Sequence, residues 1–310
     1  MPGLLPDVDP DGLLEYSVVF TDRSLNHMST TFQSVMNDIS DTLKSVYNAE
    51  AVVVVPGGGT YGMEAVARQF ATGKKCLVIR NGYFSYRWSQ IFEMGDIPSE
   101  SIVLKAQRTG EGPTAPFAPA PVEGVVAMIR DEKPGVVFAP HVETSSGMLL
   151  PDDYIRQVTD AVHSVGGLFV LDCIASGDIW VDMKRLGVDV LISAPQKGWS
   201  ASPCSALVML SERALDVLGN TSSTSFACDL GKWLDIMRAY ENGGHAYHAT
   251  MPTDALRKFR DTMLETRDYG FDRVMQEQWE LGRGVRKMLE ERGFRSVAAE
   301  GYQAPGVVVC

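Results

Sequence analysis

Residues 168–211, LFVLDCIASGDIWVDMKRLGVDVLISAPQKGWSASPCSALVMLS, contain three short apolar runs that decide the fold class. The runs are LFVLD (168–172), VLISAP (190–195) and SALVMLS (205–211). Each has the length and composition of a buried β-strand. Only nine residues separate the second run from the third. Because a crossover helix needs more than that, these two strands are expected to be antiparallel.

Upstream of this stretch, similar runs alternate with amphipathic segments. A first helix is predicted after Ser29, a suitable N-cap, because apolar residues then recur at spacings of three and four. This alternation predicts an α/β fold: a mostly parallel sheet with one antiparallel strand and helices on both faces. Strands are predicted at 51–55, 75–80, 101–105 and 136–140, helices from about 61, after Gly82, and at 122–130 and 152–164, and a surface loop at 108–121.

The remainder of the chain has a different composition. A long charged helical stretch begins near residue 250, and the chain stops at GVVVC (306–310), which is predicted to be a strand. We therefore expect residues 1–25 to form an N-terminal arm and residues 26–250 a large domain. Residues 251–310 would form a linker helix and the start of a smaller α+β C-terminal domain, which is expected to be incomplete.

Composition and charge exclude several classes of protein. The chain has 310 residues with 45% hydrophobic and 22% charged, close to the average for globular proteins. Its formal net charge of −11 repels phosphate backbones and anionic lipids, so neither nucleic acid nor a membrane is an expected partner. Five scattered cysteines and five histidines show no metal-ligand spacing, so no metal is predicted. With no signal peptide, the expected location is the cytoplasm.

A glycine-rich turn, PGGGTYG (56–62), lies between a predicted strand and a predicted helix. Glycines allow close approach of a phosphate, and the helix N-terminus supplies free N–H groups and partial positive charge. The spacing Gly57-x-Gly59-x-x-Gly62 also matches a dinucleotide fingerprint, but Arg80 and its neighbours occupy the place where an acidic residue is expected. An arginine at this place would suit the 2′-phosphate of NADP, so an NADP-binding oxidoreductase remains an alternative. A tight turn without a ligand is another.

Two charged residues follow neighbouring strands. Asp172 ends LFVLD, and Lys197 lies in SAPQKGW (193–199) just after the next strand, so both should emerge at the sheet edge where α/β proteins bind ligands. Each alone would be an ordinary solvated residue. Together with a phosphate turn they suit pyridoxal 5′-phosphate, which needs a Schiff-base lysine, an acid for its pyridine nitrogen and a phosphate cradle.

With these residues in place, the chain resembles the class V aminotransferases of the fold type I pyridoxal-phosphate superfamily, nearest to the alanine–glyoxylate and serine–pyruvate branch. The resemblance runs from about residue 24 to the end. Seven motifs occur in the family's order: LNHMS (25–29), PGGGTYGMEA (56–65), RNGYF (80–84), PHVETSSGMLLP (140–151), VLDCIAS (170–176), SAPQKGW (193–199) and AYHATMP (246–252).

The resemblance implies a role for each matching residue. Lys197 would form the Schiff base and transfer the substrate proton, and Asp172 would bind the pyridinium nitrogen. Phe84 and Ile174 would cover the two ring faces, and Thr144 would bond the ring oxygen, a role for which Ser145 and Ser146 compete. The remaining matches concern the phosphate: Gly58, Gly59, Thr60 and Gln196 from the same chain, and Tyr247 and Thr250 from a second subunit. The family therefore implies a homodimer with shared active sites.

The reaction that the resemblance implies is transfer of an amino group from a small amino acid, such as alanine or serine, to a 2-oxo acid, such as glyoxylate or pyruvate, by a ping-pong mechanism. Asn26, His27 and Ser29 are candidate substrate residues. The arginine that usually binds the substrate carboxylate would lie beyond residue 310. A lyase or desulfurase of the same fold is the alternative, although Gln196 rather than a histidine precedes Lys197.

Overall fold

The structure, a computed structural model, describes residues 24–310, so almost all of the predicted N-terminal arm lies outside it. The described helices are α1 Thr30–Tyr47, α2 Gly59–Phe70, α3 Tyr83–Gly95, α4 Val122–Glu132, α5 Asp152–Ser164, α6 Met183–Leu186, α7 Glu212–Leu218, α8 Leu230–Glu241, α9 Thr253–Tyr269 and α10 Phe271–Glu290. The described strands are β1 Ala51–Pro56, β2 Lys75–Arg80, β3 Glu100–Lys105, β4 Gln107–Arg108, β5 Phe117–Ala118, β6 Val136–Pro140, β7 Val142–Glu143, β8 Met148–Leu149, β9 Leu168–Asp172, β10 Val190–Ser193 and β11 Ser205–Leu210.

A central seven-stranded sheet has the order β1-β11-β10-β9-β6-β2-β3. The pairs from β10 through β3 are parallel, whereas β11 is antiparallel to both of its neighbours, β10 and β1. The prediction of a mostly parallel sheet with one antiparallel strand is therefore confirmed. The eleven-residue connection between β10 and β11 contains no crossover helix that could return the chain to the other end of the sheet, which explains the reversal.

Both faces of the sheet are covered. Every residue of β6 and β9 is buried, and a strand can be buried throughout only if other elements pack on both sides of it. Helix α5 packs on β9, α3 on β2 and β6, and α8 on β1. The uninterrupted apolar runs seen in the sequence thus reflect burial on two faces.

Three local features of the C-terminal half and the loops differ from the sequence-based expectation. The loop predicted at 108–121 contains a short hairpin, β4–β5. The long helical stretch is broken at Gly270, whose φ of 106° ends α9 before α10 begins. The predicted strand at 306–310 is wrong, because these residues form no strand. A strand needs a ladder of backbone hydrogen bonds to a neighbour, and here the Val309 carbonyl oxygen accepts a single one, from the N–H of Val297.

The parallel strands bring their carboxyl ends to one edge of the sheet. Asp172 ends β9, Pro140 ends β6, and the chain leaves β10 three residues before Gln196. The N-terminus of α2 follows β1 two residues after the strand ends. Within residues 24–310, no helix is both long and apolar enough to cross a membrane.

Candidate active site

A cavity lies at this edge of the sheet and unites most of the predicted site. Eight predicted residues line it: Gly59, Thr60, Phe84, Thr144, Asp172, Ile174, Gln196 and Lys197. Five further residues also line it: Met63, Arg87, Pro140, Val142 and Ala175. Gly58 lies next to the cavity as the N-cap of α2. Residues from five separate segments of the sequence therefore converge on one small space.

The glycine turn gives the cavity an open helix end. Gly57 has φ of 122°, a conformation that glycine adopts without strain, and Gly58 caps α2 with no side-chain hydrogen bond. A Cβ atom on Gly59 would lie 2.6 Å from Cδ1 of Ile174, so a larger residue here would require the Ile174 side chain to move. The first N–H groups of α2 have no intrahelical acceptor and carry partial positive charge, which suits an anion.

Asp172 is a buried carboxyl group, with only 7% of its surface exposed. The pKa of Asp172 is raised to about 6, chiefly because burial removes hydration from the charged form. The backbone N–H of Ile174 and the charge of Arg87 oppose this rise, and Glu143 adds to it. The Ile174 N–H donates to Oδ1 at 3.0 Å. Among the described residues Asp172 has no ion-pair partner, so its environment favours a cationic ligand.

Lys197 lies in the loop that follows β10, and its side chain is exposed in the single chain. Trp199 anchors this loop: it is fully buried and packs against the rings of Trp180 and Phe259. Beside Lys197, the Oε1 atom of Gln196 is buried without a hydrogen-bond partner. The loop therefore holds a fixed backbone, a lysine that faces solvent, and an amide whose oxygen lacks a partner.

The hydroxyl groups of residues 144–146 point to different places. Thr144 lines the cavity, whereas Ser145 Oγ accepts from the N–H of Tyr83 at 2.8 Å and donates to Glu143 at 2.7 Å. Ser146 Oγ donates to the carbonyl oxygen of Asn81 at 3.2 Å. Of the three residues whose hydroxyl groups were candidates to bond the ring oxygen, only Thr144 lines the cavity.

Comparisons with known proteins identify the family. The family model described as aminotransferase class V matches residues 13–300, nearly the whole chain. The chain belongs to the class V aminotransferases. The resemblance seen in the sequence is thus confirmed, as is the expectation of an enzyme of this class. The family and its fold depend on pyridoxal phosphate.

Relatives in this family include aminotransferases with different amino donors. The chain is 25% identical over 276 residues to alanine–glyoxylate aminotransferase 1 of Saccharomyces cerevisiae, a match covering 84% of this chain and 68% of that protein. It is 24% identical over 279 residues to L-aspartate–glyoxylate aminotransferase of Paracoccus denitrificans, covering 89% and 67%. The chain thus spans about two thirds of the length of these relatives.

The fold agrees with a solved aminotransferase. The crystal structure of alanine–glyoxylate aminotransferase from a Nostoc species superimposes with a TM-score of 0.77 at 22% identity, over 90% of this chain and 71% of that one. This likeness confirms the predicted fold, that of type I pyridoxal-phosphate enzymes.

The remaining predicted residues lie elsewhere in this class V chain. Tyr247 is 66% exposed, and its ring centroid is 5.6 Å from that of His27. Neither Tyr247 nor Thr250 is among the cavity-lining residues, so their predicted roles, which require a second subunit, stay predictions. Burial, and then the neighbouring His245, lowers the pKa of His27.

Asn26 and Ser29 make local hydrogen bonds. Ser29 Oγ accepts from the N–H of Phe32 at 3.1 Å as the N-cap of α1 and donates to the Asn26 carbonyl oxygen at 2.8 Å. Asn26 Oδ1 accepts from the N–H of Met28 at 2.9 Å. Both side chains organise the turn before α1, and neither lines the cavity, so their substrate role also stays a prediction.

Sequence reasoning missed the contribution of Glu143, which is fully buried. Its carboxyl oxygens accept from the N–H groups of Phe84 and Ser85, at 3.0 and 2.8 Å, and from Ser85 Oγ at 2.7 Å. Glu143 thereby caps α3 and fixes the position of Phe84 beside the cavity. The motif PHVETSSGMLLP contains this glutamate, but its partners lie 58 and 59 residues away, so no local pattern revealed them.

A second missed residue is His141, at the carboxyl end of β6. It is buried, and its Nδ1 atom lies 2.7 Å from Ser176 Oγ, while its backbone N–H donates to the Asp172 carbonyl oxygen at 2.8 Å. Burial lowers the pKa of His141 to about 4, so the ring is neutral at pH 7. His141 therefore supports the strand end that carries Asp172.

Proposed function

We propose that this chain is a pyridoxal-phosphate-dependent transaminase that moves an amino group from a small amino acid, such as alanine or serine, to a 2-oxo acid, such as glyoxylate or pyruvate. The observation that carries the proposal is the convergence of Lys197, Asp172 and the N-terminus of α2 on one cavity. The names of the relatives support glyoxylate as an acceptor and leave the donor open.

The residues present fit the cofactor in three respects. The buried carboxyl group of Asp172 lacks a cationic partner among the described residues, and the protonated ring nitrogen would supply one. The side-chain amide of Gln196 lines the cavity, and its N–H groups would donate to the phosphate oxygens. The N-terminus of α2, with glycine at positions 58 and 59, provides an anion site for the phosphate.

When bound, pyridoxal phosphate supplies an electron-withdrawing ring that stabilises negative charge on the substrate Cα. Lys197 would hold the cofactor through its amino group and would remove the proton from the substrate Cα as a general base. Asp172 would hold the proton on the ring nitrogen. Phe84 and Ile174 would contact the ring faces, Thr144 the ring oxygen, and Gly59, Thr60 and Gln196 the phosphate, while the arginine expected for the substrate carboxylate is not identified in this chain.

Exposed side chains near the cavity support a homodimer. Lys197 is exposed in the single chain. Tyr61 and Tyr83, the chain neighbours of the cavity-lining Thr60 and Phe84, are 56% and 62% exposed. Large apolar side chains gathered around an active-site opening are typical of a surface that a partner covers. A second copy of this chain would bring Tyr247 and Thr250 to the phosphate of the neighbouring site.

The test is transamination by the purified protein. We expect a visible absorbance band with pyridoxal phosphate, a shift of that band on adding alanine, serine or aspartate, and formation of glycine when glyoxylate is the acceptor. Lys197→Ala should abolish the band and the shift, whereas the exposed Lys232→Ala on α8 should change neither. Release of sulfide or ammonia without a 2-oxo acid would favour the lyase or desulfurase alternative, and NADPH binding without any band would favour the oxidoreductase.

A further inference from the structure

Arg87 is a cationic side chain in the cavity that none of the assignments above uses. It lies on α3 one turn after Phe84, and it lines the cavity together with Asp172 and Lys197. Its Nη1 atom donates to Thr60 Oγ1 at 3.0 Å, and its guanidinium carbon lies 5.3 Å from the centroid of the Phe84 ring. The guanidinium therefore contacts α2 through Thr60 and lies near Phe84 of α3, while the residue lines the cavity.

Arg87 forms no ion pair among the described residues, although its charge acts on Asp172 at longer range. Among residues 24–310, no carboxylate oxygen lies within salt-bridge distance of its guanidinium. The side chain is also partly buried, so it has given up part of its hydration. Partial loss of hydration costs free energy for a guanidinium that has no carboxylate partner, and an anion bound beside it would offset that cost.

The contact with Thr60 indicates where that anion would lie. Thr60 is the second residue of α2, at the helix end that favours negative charge. Because its hydroxyl oxygen accepts from Arg87, its single hydrogen remains available to donate to another group. Arg87, the Thr60 hydroxyl and the first N–H groups of α2 thus form one set of donors around the same place.

We infer that Arg87 binds the phosphate group of the cofactor, adding a charge-assisted contact to the helix N-terminus and Thr60. This inference rests on the proposed function. The planar fork of a guanidinium matches phosphate oxygens, and its full charge offsets the charge of the dianion better than the partial charge of α2 alone can. The other source of an oxyanion is a substrate carboxylate, but the bond to Thr60 holds the guanidinium at the N-terminal end of α2, where the phosphate is expected.

The test compares two ligands that differ only in the phosphate. Pyridoxal 5′-phosphate and pyridoxal are titrated into the cofactor-free wild type and into Arg87→Gln, with binding followed by tryptophan fluorescence and by visible absorbance. We expect Arg87→Gln to raise the Kd of pyridoxal phosphate about 10- to 100-fold and to change that of pyridoxal less than about twofold. Inorganic phosphate should compete with pyridoxal phosphate more weakly on the variant.

Two further variants serve as controls. Arg87→Lys keeps the charge but loses the planar fork of the guanidinium, so its Kd for pyridoxal phosphate should lie between those of the wild type and Arg87→Gln. If Arg87→Gln folds poorly, the comparison of Arg87→Lys with the wild type replaces it. Arg130→Gln, an exposed arginine in the last turn of α4, should bind both ligands as the wild type does. Thermal melting of each cofactor-free variant reports whether the fold is intact.

Each contrary result has a distinct meaning. Equal losses for both ligands would show that Arg87 only supports the structure. Unchanged binding of both ligands, with an unchanged KM for the amino acid, would show that it has no role; either result overturns the inference. A raised KM for the amino acid with unchanged Kd for pyridoxal phosphate would assign Arg87 to the substrate carboxylate instead. If the wild type itself binds no pyridoxal phosphate, the proposed function fails first, and the inference with it.

Discussion

At the scale of single residues, the buried carboxyl group of Asp172 carries a cost to stability. Its pKa is about 6 in the folded chain against 3.8 for an ordinary aspartate, chiefly because of burial. A folded pKa above the unfolded one means that the cost is absent at low pH and appears as pH rises through about 6. The cofactor-free protein should therefore lose stability as the pH rises from about 3.8 to about 6.

Asp172→Asn removes this cost while it keeps an acceptor for the Ile174 N–H. We expect the cofactor-free variant to be more stable than the wild type by up to roughly 3 kcal/mol near pH 7.5, and by about 1 kcal/mol or less near pH 4.5. Urea unfolding at both pH values measures the difference, with Asp160→Asn on the exposed face of α5 as the control. A stability difference that does not change with pH would contradict this account.

At the scale of elements, the site depends on how α3 begins. The carboxyl group of Glu143 accepts from two N–H groups and one hydroxyl at this helix start, so it fixes both Phe84 and Arg87 relative to the sheet. Glu143→Gln would turn one acceptor into a donor that faces other donors. We expect a loss of about 1–3 kcal/mol in the free energy of unfolding, together with weaker binding of pyridoxal phosphate.

Glu123 provides a matched comparison for this prediction. Like Glu143, it is an acidic residue at the start of a helix, but it belongs to the first turn of that helix, α4, and is exposed to solvent. Glu123→Gln should cost less than about 0.5 kcal/mol, because surface charges near a helix end contribute little. If the two variants lost equal stability in urea, the capping role of Glu143 would be refuted.

Much of this element structure could be predicted from the sequence. Strands β2, β6 and β9 occupy the predicted ranges, because burial on both faces leaves an uninterrupted apolar run in the sequence. Lys197 and Asp172 could be placed at one sheet edge because parallel strands end there together. The hairpin β4–β5 could not be predicted, since strands of two residues leave no periodic pattern. The roles of Glu143 and Arg87 depend on partners that are distant in sequence, which one sequence does not reveal.

At the scale of the whole molecule, the proposed dimer makes a prediction about shared sites. If Tyr247 completes the site of its partner, each site takes Lys197 from one chain and Tyr247 from the other. In a mixed dimer of Lys197→Ala and Tyr247→Ala, one site then lacks both residues and the other site has both. Mixing the two inactive variants under conditions that exchange subunits should then restore activity at roughly a quarter of the wild-type level, since half of the dimers are mixed and each holds one intact site. If Tyr247 acts within its own chain, mixing the two variants restores no activity, and this would contradict the shared sites. A monomer in light scattering would contradict the dimer itself.

The central claim, that Lys197 carries the cofactor, has a direct measurement. The protein is incubated with pyridoxal phosphate and reduced with borohydride, which fixes any carbon–nitrogen double bond between the two, and the digested protein is mapped by mass spectrometry. The account predicts one modified peptide, the one that contains Lys197, and no modification of Lys197→Ala at any other lysine. Modification spread over several surface lysines, or none at all, would contradict it.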